Sequence, residues 1–206
     1  MAEYQNNEII KVYRDKKIIF SLADLMTNKL NPKQYKINLR LIPLNVDNKA
    51  NKEGNLDHYL DVLVMKRVCF HILNGSLDRL FNKTEDIRGK KIPCYKDMKG
   101  TITNGHVLSR IFTLAYDDKG NLNFKLSKHS GKQTDQGAIT PTSGPIRQAY
   151  IALTPEEAEL VAIGVQDYMN QKEIIQFKQY HMKTITHTAN NQREINQITQ
   201  GTYEGA

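Results

Sequence analysis

Apolar and polar residues alternate along several short stretches of this chain, and two longer stretches carry helical spacing. Ile9–Tyr13 and Lys17–Leu22 read as strands around the turn Arg14-Asp15-Lys16, and Asn31-Pro32 marks a break. In Tyr35–Pro43, Ile37, Leu39 and Leu41 fall on one face, with Lys36, Asn38 and Arg40 on the other. That period of two predicts a half-buried strand whose outer face is basic and polar. Val46–Asn55 is a polar loop. Asp57–Leu73 is predicted as a helix from its length and its Leu60, Leu63, Val64, Val68, Ile72 spacing, with Asn74-Gly75 as a stop. Its β-branched residues at 62, 64, 68 and 72 would also suit a strand.

Lys83–Gly105 reads as a basic, loop-rich connector. The clearest hairpin follows, with Ser109–Tyr116 and Leu122–Ser127 alternating around Asp117-Asp118-Lys119-Gly120-Asn121. Lys128–Gln136 has the small, polar, basic composition of a mobile loop, and Gly137–Pro141 and Arg147–Leu153 read as strands around Ser143-Gly144-Pro145. Thr154-Pro155-Glu156-Glu157 is a strong helix start: Thr154 caps, Pro155 sits where a missing N–H costs nothing, and Glu157 completes a capping box.

Strands followed by a helix therefore occur twice. The pattern predicts an α+β protein of antiparallel sheets with two helices. An OB-fold with added helices is the alternative, because short alternating strands with basic loops suit it too. The expected organisation is one globular domain over residues 1–183, in two merged halves of roughly 1–82 and 106–180. A flexible polar tail rich in Asn, Gln and Thr is expected over 184–206.

Charge adds a second dimension. Residues 1–132 hold 24 Lys and Arg against 14 Asp and Glu, whereas residues 133–206 hold 5 against 8. A basic body suits a polyanion, because phosphate neutralisation releases counterions. No apolar run approaches membrane-spanning length, and the polar start does not read as a secretory signal. With Cys69 and Cys94 as the two cysteines, neither a disulfide framework nor a zinc knuckle is expected. A cytoplasmic setting fits.

Pointlike chemistry is hard to assemble. Ser130-Gly131-Lys132 fails as a phosphate-binding loop, because Leu126 stands where a glycine is needed and Gln133 where Ser or Thr is needed. His181 and His187 are six apart, which matches no usual zinc pattern. Asp57 and Asp61, with Lys66 nearby, would share a helix face and are the best start for a metal-dependent nuclease. No catalytic set, metal site or cofactor is therefore expected. The spread-out alternative is a nucleic-acid surface built from Lys36, Arg40 and Lys125 on strands and Arg88, Lys90, Lys91, Lys96, Lys128 and Lys132 on loops. Tyr35 and Tyr95 would be its stacking platforms.

The stretch from Ser109 to Met169 resembles the second half of a Whirly domain, a single-stranded-DNA-binding fold related to the PC4-type coactivators. The likeness lies in Gly137-Ala138-Ile139-Thr140-Pro141, Gly144-Pro145, and Tyr150-Ile151-Ala152-Leu153-Thr154-Pro155-Glu156-Glu157 running into a helix that contains Gly164. The resemblance implies two sheet-plus-helix halves in one domain, with strand faces that grip single strands without strong sequence preference. The reading is a sequence-tolerant single-stranded DNA-binding protein, with RNA also possible as ligand. It is expected to be homo-oligomeric and to serve replication, recombination or transfer of a phage or plasmid. A strand-processing nuclease and a structural adaptor of a mobile element are the alternatives.

Overall fold

The computed structural model describes residues 9–14, 17–25, 36–47, 49–51, 54–87, 89–103 and 105–175. The first half runs β1 (Ile9–Arg14), β2 (Ile18–Asp24), β3 (Lys36–Pro43), β4 (Leu56–Asp61) and helix α1 (Val62–Leu73). A 3-10 turn at Leu77–Leu80 leads to β5 (Lys83–Ile87), β6 (Lys90–Thr103), β7 (His106–Tyr116), β8 (Leu122–Gln133) and β9 (Ile139–Leu153). A second helix, α2, follows over residues 155–175. Residues 1–166 form one compact unit; of the second, 167–206, residues 167–175 are described and are helical. The expected polar tail, 184–206, lies outside the described residues.

Strands β1 to β4 make one antiparallel sheet in chain order, and β5 to β9 make a second. The predicted α+β class, with strands then a helix occurring twice, is what the chain adopts. The OB alternative is not: two separate meanders replace its single Greek-key barrel.

The two sheets meet through their apolar faces. From sheet one come Ile37, Leu39, Leu41, Leu56 and Leu60; from sheet two, Phe112, Leu114, Phe124, Leu126 and Ile151. Phe20 of β2 and Phe124 of β8 stack with ring centroids 5.1 Å apart, and Phe112 lies 6.1 Å beyond Phe124. A polar tie crosses the same junction, where His58 Nε2 of β4 lies 2.7 Å from Asp97 Oδ2 of β6.

Several local signals act as their chemistry predicts. Glu157 N–H donates to Thr154 Oγ1 at 3.3 Å and Thr154 N–H donates to Glu157 Oε2 at 2.9 Å, which closes the capping box at the head of α2. In the β7–β8 turn, Asp117 Oδ1 accepts from Lys119 and Asn121 N–H, and Gly120 takes the positive φ of 80°.

Four expectations fail. The stretch 57–61 is strand, because Leu56, His58 and Leu60 alternate into the core before the chain turns helical at Val62. The basic connector 83–105 is β5 and the whole of the long β6; few apolar residues mark it because pairing with β7 forms it. The expected mobile loop 128–136 is strand to Gln133, paired with β7 and β9. Its composition misleads because this end of the sheet projects past the core. The two strands expected over 137–153 are one, β9, whose register shifts opposite His129 absorb extra residues.

The projecting end is closed by one residue. A Cβ on Gly131 would lie 2.8 Å from Ile139 Cγ2 and 3.2 Å from Ser109 N, and a Cβ on Gly100 would also run into Ile139. Glycine at both places lets β9 fold close over β6 and β7.

Candidate nucleic-acid interface

Register decides which cations stand together. Lys99 pairs with Arg110 across β6–β7, Arg110 with Lys128 across β7–β8, and Lys128 with Arg147 across β8–β9. Directly opposite residues point to the same face. Four cations therefore form one rung across four strands, spanning roughly 14 Å at about 4.8 Å per strand. The rung lies two residues beyond Asp97, Phe112, Leu126 and Ala149, so it shares their face and continues it where the core stops.

Like charges placed directly opposite destabilise a sheet. Lys99 is partly compensated, 3.6 Å from Asp61 Oδ2 and 3.7 Å from Asp97 Oδ2. Among the described residues, Arg110 and Lys128 have no carboxylate within ion-pair distance. The Arg110 guanidinium sits 5.9 Å from the centre of the Tyr59 ring, a contact worth about 0.5–1 kcal/mol at an accessible site. Beside Arg110 and Lys128, a small recess is lined by Asn55, Asp57, Leu126 and Ser127.

Of the residues expected from sequence, Lys128 alone belongs to this rung. Lys96 and Lys125 lie on the reverse face, in register with Thr113 between them and with Tyr150 beyond, which is 62% exposed. Both grip Glu85: Lys96 Nζ is 2.8 Å from Oε1 and Lys125 Nζ 3.2 Å from Oε2. Arg40 Nε donates to Asp57 Oδ1 at 2.6 Å, and Lys36 faces Asp61 across β3–β4. Lys90 and Lys91 are exposed at the start of β6, Lys90 being 3.7 Å from Asp118. Lys132 is exposed opposite Thr140. Tyr95 is half-buried with its ring 6.2 Å from Phe112; burial, then the charge of Asp97, raises its phenol pKa. Tyr35 and Arg88 lie outside the described residues.

Lys99, Arg110 and Arg147 were not anticipated. The signal was present in Asn104-Gly105, a strong two-residue hairpin dipeptide. Folding Thr103 against His106 puts Lys99 opposite Arg110.

The Glu85 cluster makes a test of its own. Burial raises the Glu85 carboxyl, but hydrogen bonds and charge from Lys96 and Lys125 outweigh it and hold the group below its ordinary value of 4.5. A depressed carboxyl contributes stability that is present above the unfolded value and is lost as pH falls through the folded one. Urea midpoints of wild type and Glu85→Gln should therefore differ at neutral pH and converge in acid, below pH 4.5. A gap that stayed constant into acid would show that the carboxylate is not what the lysines hold.

The candidate nuclease pair is otherwise engaged. Asp57 and Asp61 are on β4, bound to Arg40 and near Lys99 respectively. Among the described residues no group of three His, Cys, Asp or Glu could hold a metal ion, and no helix is long and apolar enough to cross a membrane.

No family model matches the chain, and no curated protein matches it in sequence. Its fold is similar to three solved Whirly structures. WHY1 from Arabidopsis thaliana has a TM-score of 0.44 at 9% identity, covering 75% of this chain and 79% of that one. The plant transcriptional regulator PBF-2 has 0.46 at 10%, covering 77% and 79%. WHY3 from Arabidopsis thaliana has 0.45 at 11%, covering 75% and 82%.

Proposed function

We propose that this protein binds single-stranded DNA without strong sequence preference, laying the phosphate backbone along the rung Lys99–Arg110–Lys128–Arg147. The observation that carries this reading is the register itself, four cations standing side by side across β6 to β9. A sheet tolerates such a row most readily when an anion is there to bridge it. Tyr59 beside Arg110 supplies an aromatic surface next to the charges, and single-strand binders combine those two elements. The protein acts by binding, with no bond made or broken. Its service to replication, recombination or transfer of a mobile element, as a homo-oligomer, belongs to the same proposal; Leu63 and Phe70, exposed on α1, support self-association.

Fluorescence anisotropy with single-stranded DNA, duplex DNA and RNA of equal length, across a salt series, tests it. Single-stranded DNA should bind most tightly and weaken as salt rises. Equal binding of the duplex would overturn the proposal. So would shortening of the labelled strand in Mg²⁺ or Mn²⁺, since a binder leaves its length unchanged.

A further inference from the structure

A buried histidine stands behind one end of the rung. His58 of β4 is 1% exposed, and its Nε2 lies 2.7 Å from Asp97 Oδ2. The same carboxylate oxygen is 3.7 Å from Lys99 Nζ, and Asp61 Oδ2 is 3.6 Å from that ammonium. Two carboxylates thus hold one cation of the rung. The Lys99 side chain is 38% exposed, so a phosphate can reach it, and on arrival it meets both carboxylates. On β6, Tyr95 and Lys99 share the strand face of Asp97, and Arg110 and Lys128 follow in the next rung. Arg67 of α1 and Asp61 act with Asp97 on the Tyr95 phenol, and from β3 the apolar Leu39 stands opposite His58. Asp97 is the charged group bonded to the ring. His58 Nδ1 is buried and has no hydrogen-bond partner among the described residues. A proton on Nε2 satisfies Asp97, whereas a second one on Nδ1 would face no acceptor, so added negative charge nearby is what would draw it in.

We infer that the His58–Asp97 pair is a proton site coupled to the rung, so that the protein takes up a proton when a phosphate reaches Lys99 and grips single strands more tightly as pH falls. The inference rests on the single-strand reading above. The ring touches no nucleic acid; it acts through Asp97. With the proton in place, His58 is matched to Asp97 as an ion pair, and Lys99 is left facing Asp61 alone. Coupling between two bound species is reciprocal: if the strand favours the proton, the proton favours the strand by the same factor. The bound state then holds more protons than the free one. Affinity therefore rises as pH falls through the range in which an imidazole changes charge.

Anisotropy with one oligodeoxythymidine, whose bases keep their charge between pH 8 and pH 6, reads the coupling at fixed ionic strength. One fully linked proton raises affinity about tenfold per pH unit. Partial coupling should give wild type a gain of roughly three- to ten-fold over the interval. Asp97→Asn keeps an acceptor for His58 Nε2 but no charge, so it should bind tightly already at pH 8 and lose this part of the response. His58→Gln keeps a donor to Asp97 but takes up no proton. It should lose the same part while binding as weakly as wild type does at pH 8. The other histidines are present in both variants and set the background slope. Should either substitution prevent folding, the ring C–H resonances of His58 in wild type replace it: their titration should move to higher pH when the strand is bound. An unmoved titration, or one pH response shared by wild type and both variants, overturns the inference and leaves the single-strand reading intact. Failure to bind the strand at low salt at every pH overturns the two together.

Discussion

Arg110→Ala combined with Lys128→Ala should weaken single-stranded DNA binding about 25-fold at 0.1 M salt and halve its salt dependence. The two residues are the central pair of the rung, and neither is matched by a carboxylate among the described residues. Each phosphate contact on a single strand contributes about 0.7 to the slope of log affinity against log salt, so four contacts give roughly −2.8 and two give roughly −1.4. Stability should hold or rise, because the substitutions relieve two cations placed directly opposite each other. Lys90→Ala with Lys91→Ala removes the same charge at the start of β6, off the rung, and should change the slope far less. If both pairs lowered affinity and slope equally, binding would depend on overall charge and the register would have no special role.

Phe124→Ala should cost about 3–5 kcal/mol of stability. The ring is fully buried, stacked on Phe20 of the other sheet and close to Phe112 of its own, so truncation leaves a cavity at the junction. Set against a whole-domain stability of about 5–15 kcal/mol, that is a large fraction. The melting temperature should fall by roughly 10 °C, with the loss visible as a lower urea midpoint. Phe124→Leu keeps most of the volume and should be far milder. A loss below about 1 kcal/mol for the alanine variant would mean that the two sheets are held together elsewhere.

These two expectations differ in how far the sequence foretells them. Phe124 is legible at once: Leu122, Phe124 and Leu126 alternate inward behind a turn whose Asp117 and Gly120 are unmistakable. The Thr154–Glu157 capping box is equally local and equally plain. Local chemistry fixes such elements, so a single chain displays them. Strand β6 is different, because Pro93, Gly100 and scattered lysines hide a ladder that β7 imposes from outside. The rung was hidden for the same reason. Lys99, Arg110, Lys128 and Arg147 lie far apart in the chain, and only the registers of three successive pairings bring them into line. Lys125 was legible as a cation on a strand face and Lys96 as one on a basic connector, but their shared capture by Glu85, 40 residues before Lys125, was not. Charge can be counted from a sequence; its cancellation depends on contacts.

Strand β9 ends its sheet, and Pro141 and Pro145 lie within it. Proline offers no N–H to an incoming strand, and the register shifts beside Pro145 break the pleat that such a strand would have to follow. Fibre-like growth from this margin is thereby discouraged, even though most of its side chains between 139 and 148 are in contact with solvent. Copies crowded at high concentration are therefore kept from zipping together edge to edge along this margin.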